Sequence, residues 1–365
     1  MKCYSKQLWI SNLLFLVALT TAVIGCESDT QRAETRTIED MTGRKIPIPL
    51  KINRVAVLTS PCVQIMYIIG ARDKLCAITK PFRTHLLAKI DSNLRSVLAP
   101  RDCMTEINIE ELLRTNPDIC MGSIQDMQTV EGNTKLPTVY LTTISREGIT
   151  FEKQMEEVRL FGKIMGKEEK AEKYISYLAD GLIFLKKRMA NIPEKRRVSF
   201  GFGPNHQVTL GGDTYLQKRI EAAGCINVAE RLSTLGGKEG GLSEVSMEQI
   251  LAWNPDLVVI DEGTPERVFT NPQWRGITAV KNDKVFRLPI GVFKWNRPSA
   301  EASVLFPQWL ARIAYPARFQ DRSIAAEIKR YFREILEYEL DDREIKTILH
   351  PEGEDKKGIR YAPKS

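Results

Sequence analysis

Residues 108–118 read NIEELLRTNPD and residues 246–256 read SMEQILAWNPD. The chain carries one short pattern twice: Glu110 and Glu248, Leu113 and Leu251, Asn116 and Asn254, Pro117 and Pro255, Asp118 and Asp256 coincide at one constant offset. Each copy starts acidic and helix-like, passes through Asn-Pro-Asp and continues as an apolar segment, Ile119–Met121 in the first and Leu257–Ile260 in the second. Proline biases the residue before it away from the helical region and so punctuates the element. The short apolar run behind it reads as a buried strand. A helix–turn–strand unit used twice, far apart, predicts two similarly built α/β lobes with a cleft between them, where small ligands bind.

The amino terminus reads as an export signal. Lys2 and Lys6 precede an uncharged apolar stretch from Leu8 to Gly25, about 18 residues long and placed behind a basic n-region. It closes on Val23-Ile24-Gly25-Cys26, similar to a bacterial lipobox, and a polar stretch, Glu27–Glu34, follows. The expectation is a lipoprotein signal peptide over 1–25, with Cys26 as the lipid-carrying first residue of the mature chain. Removing Lys2 and Lys6 takes the formal charge from +7 to +5.

The roughly 340 residues that remain exceed the size at which one core usually keeps growing, so two domains are the default. A 43% hydrophobic content is ordinary for a globular chain. The basic residues are spread along the sequence rather than massed, which argues against nucleic-acid binding. Beyond Cys3 and Cys26 the cysteines are Cys62, Cys76, Cys103, Cys120 and Cys225. Their odd number and the lack of a CxxC favour small buried hydrophobes over a disulfide framework.

Along the chain, Asp40–Arg44 reads as a hairpin turn, Arg54–Leu58 as a strand, and Ser60-Pro61 as the loop into a helix through Ile69. Leu75–Ile78 and Thr138–Leu141 add strands; alternation of strand and helix is the mark of a parallel α/β layer. Glu152–Met165 reads as a helix stopped at Gly166. A second helix runs from Glu168 to about Asn191, carrying a stripe of Ala171, Tyr174, Ile175, Leu178, Leu182, Leu185 and Met189. At 1.5 Å per residue it spans roughly 36 Å, a stiff connector between lobes. Arg197–Phe202 opens the second lobe, and Gly201-x-Gly203 fails as a dinucleotide motif because Pro204 interrupts the turn and His206 holds the third glycine position. Helices follow near Tyr215–Ala223, Leu305–Ala314 and Ser323–Tyr338, with a late strand at Val285–Leu288. The predicted layout is an N-terminal α/β lobe (26–150), a helical connector (151–192), a C-terminal α/β lobe (193–349) and a disordered tail (350–365).

Together these residues resemble the periplasmic substrate-binding proteins of ABC importers for iron–siderophore, haem and cobalamin, the type with a rigid interlobe helix. The marks are Asp40–Pro47, Arg54–Gly70, both Glu-x-x-Leu-x-x-Asn-Pro-Asp units, Asn271-Pro272-x-Trp274-x-x-Ile277-x-Ala279-Val280 before Lys284-Val285, Trp295–Ser299, Trp309–Ala311 and Tyr315-Pro316. The resemblance implies two parallel-type sheets flanked by helices, joined by one long helix, with the ligand between lobes. It also implies an extracytoplasmic, lipid-anchored monomer that hands a small-molecule metal chelate to a permease and its ATPase. Glu110 and Glu248 would be the surface glutamates presented to permease arginines.

For the ligand, loops at the carboxyl ends of strands are the relevant positions. They nominate Ser60, Phe82, Arg83 and His85 in the first lobe, with the Ser123–Gln125 loop beside them. In the second lobe they nominate Asn205, His206, Tyr215, Glu262 and the loop holding Trp295 and Arg297. Aromatic faces at Phe82 and Trp295 and guanidinium groups at Arg83 and Arg297 suit an anionic siderophore complex. Haem, cobalamin and molybdate-type oxyanions remain open as cargo. Three histidines, His85, His206 and His350, are too few for the usual zinc or manganese cluster, so no bare-metal site and no resident cofactor are expected. No Gly-x-Ser-x-Gly elbow, P-loop or acid–base pair stands out, which speaks against an enzyme.

Overall fold

The computed structural model describes residues 34–80, 85–102, 105–142, 150–233 and 242–351. The first elements are β1 (Thr35–Glu39) and β2 (Lys45–Pro49), a hairpin pinned by Asp40. Asp40 Oδ1 accepts from the Thr42 amide and hydroxyl and from the Arg44 amide, while Arg44 Nε donates to Oδ2 at 3.0 Å. Gly43 takes φ +83° in that turn, where a side chain would be strained.

The first sheet follows as β3 (Val55–Val57), α1 (Ser60–Ile68), β4 (Leu75–Thr79), α2 (His85–Ile90), β5 (Leu98–Arg101), α3 (Ile109–Arg114), β6 (Ile119–Ser123), α4 (Ile124–Asn133) and β7 (Thr138–Leu141). Its strands are parallel in the order β5-β4-β3-β6-β7. α5 (Phe151–Met165) and α6 (Glu168–Arg188) then run between the sheets, separated by Gly166 in a left-handed conformation. α6 stops three residues short of the expected Asn191, although its buried side chains include Ala171, Tyr174, Ile175, Leu178 and Leu185 from the predicted stripe.

The second sheet is built from β8 (Arg197–Gly201), β9 (Val208–Leu210), α7 (Tyr215–Ala222), β10 (Ile226–Asn227), β11 (Leu242–Glu244), α8 (Met247–Trp253), β12 (Leu257–Ile260), α9 (Pro265–Thr270), α10 (Thr278–Lys281) and β13 (Val285–Arg287). Its parallel order is β10-β8-β12-β13, with β9 and β11 forming a separate antiparallel pair. α11 (Ala300–Ala314), α12 (Ile324–Ile335) and α13 (Asp342–Leu349) complete the chain. α11 begins five residues before the predicted start and holds Pro307 inside it. Ser299 caps it by accepting from the Ala302 amide, and nearly every side chain of the helix is buried. Tertiary burial therefore overrides the proline, which on propensity alone reads as a breaker.

α11 is also where the lobes join. The Glu301 amide donates to Gln64 Oε1 of α1 at 3.3 Å, and Tyr174 of α6 donates to the Ala300 carbonyl at 2.9 Å. One apolar cluster runs through both sheets and these helices. Since α1 starts directly after β3 and α11 follows the loop beyond β13, this joint brings the carboxyl ends of the two sheets together.

Two carboxyls are buried in the joint. Glu157 of α5 accepts from Cys62 Sγ at 3.2 Å and from Gln154 Nε2 at 2.9 Å. Glu301 accepts from the amides of Val292 and Phe293 and from Trp295 Nε1. Burial outweighs these hydrogen bonds and pushes both groups up to about 8, from an ordinary 4.5. A carboxyl with a raised folded-state pKa keeps its proton longer in the native chain. Its stabilising share is whole below about pH 4.5 and is lost as pH rises through about 8. Wild-type stability should therefore fall across that window relative to a Glu157→Gln variant, which cannot ionise there. Urea unfolding of both chains at about pH 5 and pH 8 checks this; an identical pH slope would remove Glu157 from the account.

Candidate functional site

The two copies of the repeat adopt the same local structure for the same reasons. Asn108 and Ser246 cap α3 and α8 by accepting from the amides of Glu111 and Gln249. Asn116 and Asn254 close the helices with φ +44° and +40°, a left-handed step that asparagine tolerates better than most residues. Asp118 then accepts from the Asn53 and Arg54 amides, and Asp256 from the Arg197 amide, tying each copy to the first strand of its own sheet. Glu110 and Glu248 stand exposed in the first helical turn of each copy. Hydrogen bonds from its own amide and from Ser246 hold the Glu248 carboxyl below the ordinary range.

The cleft side of the second lobe is a cluster of charge at the carboxyl ends of β8, β12 and β13. Asp261, buried at the end of β12, accepts from the Gly203 amide at 3.1 Å. Burial pushes its carboxyl up despite nearby Lys294, and burial likewise lowers the Lys294 ammonium. Arg287 ends β13, buried, with one guanidinium N–H on the Ile260 carbonyl. Lys294 feels Asp261, Arg297, Glu262 and Arg287, and His206 feels Arg287, Glu262 and Arg267. Among the described residues Arg267, Lys294 and Arg297 thus share the region with Asp261 and Glu262, a balance that favours an anionic ligand. In the first lobe, Arg101 at the end of β5 donates to the Leu58 carbonyl and pairs with Asp126.

The nominated residues separate into four groups. Asn205 and His206, in the loop after β8, and Arg297, in the loop after β13, lie at this end of the second sheet; Asn205 and Arg297 are exposed and His206 is buried. Ser60 and Tyr215 are already engaged: Ser60 shares a 2.5 Å hydrogen bond with Thr79, and Tyr215 donates to the Asn296 carbonyl at 2.5 Å. Trp295 requires correction. Its ring is 0% exposed and its Nε1 donates to Glu301, so it packs the core and sets the loop rather than offering a face to cargo. The Ser123–Gln125 segment is also not a loop, because Ser123 caps α4 by accepting from the Asp126 amide. Cys26, Phe82, Arg83 and Cys103 lie outside the described residues, as does the side chain of His85.

Asp261, Arg287 and Arg101 escaped the sequence reading. Arg101 and Arg287 end strands and Asp261 directly follows one, and a polar residue closing an apolar run such as Leu257–Ile260 is the signal that marks such positions. Gly201 is explained by contact rather than by a nucleotide: a Cβ there would lie 2.7 Å from His206 Cβ. Among the described residues no group of three His, Cys, Asp or Glu is placed to hold a metal ion.

Residues 55–290 match the profile of the family described as periplasmic binding protein. Over 322 residues the chain is 24% identical to the molybdate-binding protein MolA of Haemophilus influenzae, covering 82% of this chain and 90% of that one. The solved structure of MolA bound to molybdate matches with a TM-score of 0.71 at 23% identity, over 84% of this chain and 99% of that one. The ABC transporter substrate-binding lipoprotein YvrC of Bacillus subtilis is 21% identical over 335 residues, 87% of this chain and 99% of its own. A periplasmic solute binding protein of Veillonella parvula matches with a TM-score of 0.75 at 25% identity, over 87% and 97% of the two chains.

Proposed function

The chain belongs to the periplasmic binding protein family, and from that premise we propose that it captures an anionic, metal-containing cargo for an ABC importer, a molybdate-class oxyanion first. Its relatives are solute-binding proteins of transporters rather than enzymes, and the family works outside the cytoplasm. The observation that carries the choice of cargo is the cluster of Arg267, Lys294 and Arg297 beside Asp261 and Glu262 among the described residues. Guanidinium and ammonium groups at the rim of a partly dry site give charge-assisted hydrogen bonds to oxyanion oxygens. The molybdate-binding relative supports the same reading.

An anionic iron–siderophore chelate is the second reading, since its charge suits the same cations. It loses Trp295 as a packing face, because that ring is buried in the core. Cargo is held between lobes with little closure, α6 being a continuous 21-residue helix. Cys26 would carry the lipid that keeps the protein at the membrane, and Glu110 and Glu248 would meet the permease.

Thermal unfolding against molybdate, ferric siderophores, haem and cobalamin tests the proposal. A ligand that binds only the folded chain at a hundred times its Kd stabilises it by about 2.7 kcal/mol. Molybdate is expected to give the shift, and Lys294→Ala with Arg297→Ala to remove it. A shift with cobalamin alone, or with none of the anions, would overturn the anionic reading.

A further inference from the structure

Six large apolar side chains stand exposed among the described residues: Leu50, Leu98, Leu113, Ile124, Ile183 and Leu251. Leu113 and Leu251 are the same position of the Asn-Pro-Asp repeat, 47% and 40% exposed. A single exposed leucine is ordinary on a protein surface. Two at one repeated position, out of six, are not explained that way.

The other positions that the copies share have a reason inside the fold. Asn116 and Asn254 turn the chain left-handed, Asp118 and Asp256 tie down the first strand of each sheet, and Pro117 and Pro255 are buried. The core takes the neighbouring position, Leu112 and Ile250, at 0% and 1% exposure. Leu251 only leans on Gly276, where an added Cβ would lie 3.1 Å from its Cδ2. What remains shared and outward-facing is Glu110 with Leu113, and Glu248 with Leu251. Each pair is three residues apart within one helix. The carboxylate and the leucine therefore stand as neighbours on one helix face, with Cβ atoms roughly 5–6 Å apart.

The two groups answer different parts of a contact. An exposed carboxylate gains little from a cation in water, and salt screens what it gains. An apolar side chain beside it is not screened. It also drives water from the ion pair, which strengthens the pair. An acidic group alone steers and orients a partner; the leucine adds grip.

We propose that Leu113 and Leu251 are apolar anchors for the permease, each seated in an apolar socket beside a cation, with one socket on each of two like halves. This rests on the reading of Glu110 and Glu248 as the permease contacts, and it adds what the partner surface must hold besides charge. The carboxylate sets the sign of the partner's charge at each point, and the repeat sets that the socket occurs twice. A second copy of this chain seated with these faces together would set carboxylate against carboxylate.

The test is titration of the full lipid-bearing chain against its purified permease–ATPase complex, both in one mild detergent, at low and at high salt. Leu113→Gln with Leu251→Gln keeps a helix propensity close to that of leucine and removes the apolar surface. The expected result is an affinity about tenfold weaker at both salts, because neither leucine then takes apolar area out of water. Either single variant should fall in between, and Leu113→Met with Leu251→Met should bind as the wild type does. Glu110→Gln with Glu248→Gln should weaken binding at low salt and have little effect at high salt. A leucine variant that binds like the wild type while the glutamate variant is weakened overturns the anchors and leaves the docking reading standing. Wild-type affinity in both variants overturns both. Thermal unfolding of the leucine variant well below that of the wild type would assign the leucines to their own lobes and overturn the proposal. So would a wild type that sediments as a dimer and a leucine variant that sediments as a monomer, which would assign them to a second copy.

Discussion

Replacing Glu301 with alanine is expected to destabilise the protein by about 3–5 kcal/mol, the range for breaking a buried polar network. The carboxyl accepts from the amides of Val292 and Phe293 and from Trp295 Nε1, each donor being buried. Truncation removes the acceptor of all three at once, and a buried donor left unsatisfied costs roughly 1–3 kcal/mol. No buried charge is relieved in exchange, because burial has already raised the group to about 8 and left it neutral near pH 7. The same joint can be probed from the other side. A Cβ at Gly291 would lie 2.7 Å from Glu301 Cδ, so Gly291→Ala should displace the carboxyl and destabilise in the same sense. Urea unfolding of both variants decides the matter; a loss under about 1 kcal/mol for Glu301→Ala would mean that water replaces the carboxyl and the joint is not sealed.

That joint shows where sequence reading ends. The repeated Asn-Pro-Asp units were legible because each rests on local chemistry: a cap, a left-handed asparagine and an aspartate that ties its own copy to a neighbouring strand. The paired lobes, the parallel strands and the helical connector follow from such local signals and from hydrophobic period. Glu301, Trp295 and Gln64 carry no local signal of their contacts. Gln64 lies 237 positions before Glu301, and only the packed lobes bring the two together.

The surroundings of the candidate site were legible only in position, for a related reason. Looking to strand ends placed Asn205, His206 and Arg297 at one end of the second sheet, since topology alone sets those positions. Choosing which side chain in a loop faces solvent needs the loop's own packing. Trp295 was read as a cargo face because it is aromatic and follows a strand, but Glu301 draws its indole inward. Arg287 and Asp261 were overlooked because their surroundings come from each other and from Lys294, across two strands and the loop after β13.

Reversing charge at both Glu110 and Glu248 is expected to abolish uptake in cells while leaving cargo affinity unchanged. The two carboxylates occupy the first turn of equivalent helices, each with a side-chain cap (Asn108, Ser246) and an aspartate anchor (Asp118, Asp256), and both are exposed. One local frame built twice therefore presents one acidic group on each lobe. A permease made of two like halves would offer its complement twice in the same way, so orientation would be fixed by matching both points. Single reversals should leave partial uptake that falls further as ionic strength rises, because one remaining exposed pair is screened over about 8 Å at physiological salt. The double variant Glu110→Gln with Glu248→Gln separates docking from a helix-end role. Neutral glutamine removes attraction without adding repulsion, so uptake should drop less than with Glu110→Lys and Glu248→Lys, while thermal stability with cargo stays that of the wild type. Were the lysine variant to bind cargo more weakly in solution, the carboxylates would belong to the cargo site. Were it to transport normally, they would serve only their own helices.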